Sequence, residues 1–122
     1  MQFQSGWFGL PRFAVAASGT NVIKAGESNS AVRVLQTALV TIGYPMPQST
    51  RQNGSLDGVF GDETSRLVKD FQRVSFPNEA RDGKVGPNTL AALDKKLMKK
   101  TPPKTDEESM VVRILTLFRF TV

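Results

Sequence analysis

The turn sequence Asp57-Gly58-Val59-Phe60-Gly61-Asp62-Glu63-Thr64 returns 25 residues later as Asp82-Gly83-Lys84-Val85-Gly86-Pro87-Asn88-Thr89, so a chain of 122 residues uses one D-G-x-x-G-x-x-T device twice. Each copy runs straight into a helical pattern, which makes the repeat a matter of architecture. The Asp can accept hydrogen bonds from the amides that follow it, the first Gly supplies a backbone angle closed to other residues, and the second Gly can stand at a helix N-cap. In the second copy Pro87 fits the first helical position, and Val85 and Leu90 stand where the two halves of a hydrophobic staple belong. In the first copy Asp62 and Glu63 place negative charge where the helix dipole favours it, but Phe60 would face Ser65 and the staple is missing.

A third element lies upstream. Val32, Leu35, Leu39 and Ile42 repeat at helical spacing, Asn29 or Ser30 can cap the start, and Gly43 can close the end in the left-handed conformation. Helices are therefore expected near 30–42, near 62–74 with Leu67, Val68, Phe71 and Val74 inward, and near 87–99 with Leu90, Leu93 and Leu97 buried. A Pro/Ser/Gly-rich loop over 44–56 joins the first two, and residues 76–81 connect the next pair.

Residues 1–25 read as an irregular N-terminal arm too apolar to be a solvated tail, since it carries Phe3, Trp7, Phe8 and Phe13. Residues 101–109, with Pro102, Pro103 and the acidic run Asp106-Glu107-Glu108, have linker composition. Residues 110–122 read as a C-terminal β-strand. Arg113 and Arg119 fall on one alternating face, with Val112, Ile114, Phe118, Phe120 and Val122 on the other. A strand needs a partner, and pairing with another chain is expected, with the arm packed nearby.

The formal charge is +5 with a pI near 9.9. So mild an excess suits an anionic polymer and many ordinary proteins alike. The chain has neither cysteine nor histidine, which removes disulfides, thiol nucleophiles, imidazole bases and most transition-metal sites. No metal or other cofactor is expected. Asp57 and Asp82 are read as turn-formers rather than a glycosidase pair, since each adjoins a Gly in a turn. Lys95, Lys96, Lys99 and Lys100 crowd the end of the last helix, where cations complement the dipole, so nucleic acid is not an expected partner. Gln36 and Gln72 recur after an apolar residue in both upstream helices; a helix-to-loop hydrogen bond is the favoured role and ligand contact the alternative. The first residues do not read as the basic n-region of a signal peptide, and no membrane-spanning stretch is expected.

Taken in order, the N-x-x-V-x-x-L-Q-x-x-L-x-x-x-G-Y run ending at Tyr44, the D-G-V-F-G-x-x-T turn, Phe71-Gln72 and the D-G-x-V-G-P-x-T-L-x-A-L ending resemble the three-helix peptidoglycan-binding domain family. The resemblance covers roughly residues 25–97. It implies an all-α core over residues 26–100 that binds bacterial cell-wall peptidoglycan without catalysis. It also implies a shallow ligand groove bordered by the end of the first helix and the D-G-x-x-G turns. Tyr44, Asp57, Phe60, Gly61, Thr64 and Arg66 are the expected contacts: an aromatic plane packs on a sugar, and amides or Arg meet a stem-peptide carboxylate. For Asp57, Gly61 and Thr64 a fold-building role is the competing reading, because the second turn reuses them. The alternative function is a structural or adaptor subunit of a multi-chain assembly such as a phage or phage-like injection particle. Localisation follows as cell wall, extracellular space or such a particle.

Overall fold

A computed structural model describes residues 3–77 and 81–100. It contains four helices in the described residues: α1 (Pro11–Ala17), α2 (Ser30–Thr41), α3 (Asp62–Ser75) and α4 (Pro87–Lys96). The last three are the helices expected from the apolar spacing. The strand expected over 110–122 lies outside the described residues.

Local chemistry sets the helix ends. The Asn29 side chain caps α2 by accepting from the Val32 amide at 2.9 Å. At the other end Gly43, at φ 104°, donates to Val40 O, and Tyr44 donates to Leu39 O, which is the paired closure of a Schellman motif. Gly61 and Gly86 are the N-caps of α3 and α4 in extended backbone, with Pro87 opening α4. Val74, expected inward, is 65% exposed; the buried stripe of α3 ends at Phe71 and Gln72 as the helix runs past the core.

The arm is not irregular and does not stand apart. Pro11 starts α1, whose Phe13 and Ala16 enter one common core with Trp7, Phe8, Ile23, Leu35, Leu39, Phe71, Leu90, Leu93 and Leu97. Phe8 packs edge-on against both Phe3 and Phe13, with ring centroids 5.3 and 4.8 Å apart. Polar links hold the arm to α4: the buried Asp94 carboxylate accepts from the Gln4 and Ser5 amides at 2.9 and 3.0 Å, and the Trp7 indole donates to Lys100 O. A boundary drawn at residue 25 therefore cuts through the core. Trp7, Phe8, Phe13 and Ala16 of the arm are buried in this core rather than left on the surface.

Between α1 and α2 the chain forms a strap across both repeated turns. Ile23 exchanges two backbone hydrogen bonds with Val85 at 3.0 and 2.7 Å, Gly26 donates to Phe60 O, Phe60 donates to Glu27 O, and Asn29 donates to Gly58 O. Arg12 anchors this strap through a two-pronged ion pair with Glu27, at 2.7 and 2.8 Å, and donates to the carbonyls of Asn21 and Val22.

Candidate functional site

The two turns are the same object built twice. In the first, the Gln36 amide nitrogen donates to Asp57 Oδ1, Val59 O and Thr64 Oγ1, each at 3.0 Å, while its oxygen accepts from the Gly58 amide at 2.9 Å. In the second, Gln72 donates to Asp82 Oδ1, Lys84 O and Thr89 Oγ1 at 3.1, 2.9 and 3.1 Å and accepts from the Gly83 amide at 3.0 Å. A backbone N–H only donates, so the orientation of each side-chain amide is fixed by the glycine it meets. Each Asp Oδ1 also accepts from the amide two residues on, at 2.9 Å. Gly58 and Gly83 both sit at φ 73°. The glutamines are thus the helix-to-turn hydrogen bonds favoured above, and both are buried.

Around these equal networks the surroundings differ. Gln36 and Asp57 are 21 residues apart, Gln72 and Asp82 only 10. The longer connection folds back over the first turn. Glu63, buried in the opening turn of α3, accepts from the amides of Gln48 and Ser49 at 3.1 and 2.8 Å, and Thr64 Oγ1 lies 3.9 Å from the sulfur of buried Met46. The residue corresponding to Glu63 in the second copy is Asn88, which is exposed. There an open groove of about 200 Å³ is lined by Val22, Phe76, Asp82, Lys84, Pro87, Asn88 and Thr89 among others. Through Phe76 and Asn88 it continues into a shallower depression over Ala91, Ala92 and Lys95.

The residues expected to meet a polymer are divided by the fold. Phe60, 1% exposed, and Thr64, fully buried, belong to the interior: the strap pairs with the Phe60 backbone, and Gln36 holds the Thr64 hydroxyl. Asp57 and Gly61 are half-buried at the rim, and Arg66 is exposed with its guanidinium 4.0 Å from Glu63. Tyr44 is half-buried and meets Phe71, two helical turns beyond Thr64 on α3, edge-on at 5.9 Å. Asp57 and Thr64 share Gln36; Tyr44 and Arg66 are not drawn into that cluster.

Electrostatically the clearest pair is Arg12 with Glu27. The hydrogen-bonded guanidinium holds the Glu27 carboxyl below the ordinary carboxylate range against the opposing effect of burial, and Glu27 in turn raises Arg12. Among the described residues no buried side-chain nitrogen or oxygen lacks a hydrogen-bond partner, and no cluster of three or more Asp or Glu forms a metal cage. No helix among them is long and apolar enough to cross a membrane.

Residues 28–93, more than half of the chain, match the family described as "Putative peptidoglycan binding domain". The chain is also similar to the type VI secretion system spike protein VgrG3 of Vibrio cholerae serotype O1, at 30% identity over 69% of the chain and 9% of that protein. A protein of Bacillus licheniformis described as a probable N-acetylmuramoyl-L-alanine amidase is 36% identical over 64% of the chain and 20% of its own length. The chain thus spans a fifth or less of each of these relatives.

Proposed function

Because the chain belongs to the peptidoglycan-binding domain family, we propose that it holds bacterial cell-wall peptidoglycan without cleaving it. The observation that carries this reading is the family match over 28–93, which contains both turns and all of the groove beside the second except Val22. The non-catalytic part is supported by where the carboxylates are used. Asp57 and Asp82 hold their turns, Glu63 holds the 46–49 segment, Asp94 holds the arm and Glu27 holds Arg12. The rim of the first turn, Asp57, Gly61 and Arg66, offers polar contacts to a polymer, and Tyr44 offers a ring edge farther along α3.

One relative is a secretion spike protein, which is compatible with a second setting for the same activity: the module displayed on an injection particle. In that setting the fold still binds wall, and residues 110–122 join it to other subunits.

The test is co-sedimentation of the full chain with insoluble peptidoglycan. The protein is expected in the pellet at low salt and increasingly in the supernatant as salt screens its positive charge. No reducing ends or free stem peptides are expected to appear with time. A folded chain that stays in the supernatant at low salt refutes wall binding, and released fragments refute the non-catalytic reading.

A further inference from the structure

We propose that the groove beside the second turn binds an extended, acidic peptide, and that within the wall-binding reading this peptide is the stem of peptidoglycan. The ligand class comes from the first turn, where the chain supplies an occupant of its own. There residues 46–49 lie against the opening turn of α3: Met46 is buried beside Thr64, and the consecutive amides of Gln48 and Ser49 point at Glu63. What the first copy holds is a piece of peptide backbone with one apolar side chain. In the second copy the connection is 10 residues instead of 21, and the corresponding positions, Asn88 and Thr89, line an open groove.

The substitutions between the copies suit a ligand that arrives from outside. Glu63 can only accept, which matches two amide donors already fixed in the chain. Asn88 both donates and accepts, so it can pair with the N–H and C=O of an incoming peptide. Val22, Phe76 and Pro87 give the groove apolar walls. On the groove itself Lys84 is balanced by Asp82, whose Oδ1 already accepts from Gln72 and the Lys84 amide. The net positive charge therefore comes from Lys95 on the depression, where a peptide's carboxylate would sit. Sugars, by contrast, would find only the half-buried ring of Phe76 to pack on.

The experiment follows backbone amide shifts of the labelled full chain with two probes, a soluble stem peptide and glycan strands stripped of peptide. Saturable shifts are expected at Lys84, Asn88, Ala91 and Lys95 with the stem peptide and not with the bare glycan. Ala91→Trp, an exposed site on α4, should melt as the parent does and bind the peptide at least tenfold more weakly. Shifts that gather at the first turn, equal responses to bare glycan, or parent-like binding by Ala91→Trp would each overturn the proposal. So would groove shifts caused by deleting 101–122 without probe, since the chain's own end would then be the occupant. Sedimentation separates this from the wall reading. If the parent and Ala91→Trp pellet equally with peptidoglycan, the groove falls and wall binding stands; if the peptide binds the groove while the parent does not pellet, the reverse holds.

Discussion

The first and second turns share every hydrogen bond of their Gln–Asp–Gly–Thr networks yet face opposite surroundings, one covered by residues 46–49 and the other left open by the described residues. The lesson is that the motif encodes a way of tying a helix to the next helix's start, and the length of the intervening chain decides whether a surface is left over. In both networks the glutamine and the threonine are buried and hydrogen-bonded, so that losing either one's partner is costly.

The largest effect expected is from Gln36→Leu and Gln72→Leu. Each strands a buried Gly N–H and a Thr hydroxyl, and each should lose roughly 2–4 kcal/mol, read by denaturant unfolding. Equal losses support the equivalence of the two copies. A variant that unfolds like the parent breaks it.

Exchanging the residues that distinguish the copies should give unequal results. Glu63→Asn removes a carboxylate that holds two amides and should cost about 1–3 kcal/mol, with faster amide exchange at Gln48 and Ser49. Asn88→Glu, on an exposed first turn, should stay within about 0.5 kcal/mol. If Asn88→Glu proves the more damaging, the second turn is not the open one.

A smaller contrast separates the glycines. An added Cβ at Gly58 would lie 3.1 Å from the Asn29 carbonyl, which accepts from the Arg33 amide at the start of α2, whereas at Gly83 it would meet the movable Lys69 side chain at 3.0 Å and Ser65 Oγ at 3.1 Å. Both alanine variants carry the strain of a positive φ, about 1–2 kcal/mol, and Gly58→Ala should be the worse in thermal melting. The reverse order would mean that Lys69 is held as firmly as backbone.

The smallest effect concerns the strap's ion pair. Glu27 titrates below its unfolded value because Arg12 binds its ionised form, so its stabilisation is present above the ordinary carboxylate range and is lost as pH falls through the folded value. With both side chains about one-fifth exposed, the loss should not exceed about 1 kcal/mol, and it should vanish in Glu27→Gln. An acid limb unchanged by that substitution would assign the loss elsewhere.

Much of this was legible in the chain. The caps at Asn29 and Gly43, the positive angles at Gly58 and Gly83, and the bonding of Asp57 and Asp82 to the amides two residues on all follow from contacts within a turn or two of sequence. The groove had a signal too, in the unequal Gln-to-Asp spacings and the Glu63 to Asn88 change, but those matter only once both turns are known to build the same network. Phe60 and Thr64 read as exposed contacts because a turn motif does not say which of its faces another segment will cover.

The sequence by itself determined three helices, their caps and two glycine-dependent turns, because these depend on neighbours a few residues apart. Only the tertiary structure decided that α1 and Trp7 complete the core, that the strap closes over Phe60, and that one turn is sealed while its copy stays open. Those outcomes rest on pairings such as Ile23 with Val85 and Ser5 with Asp94, 89 residues apart in the second case, where no local preference acts and packing of the core together with long-range hydrogen bonds selects the partner.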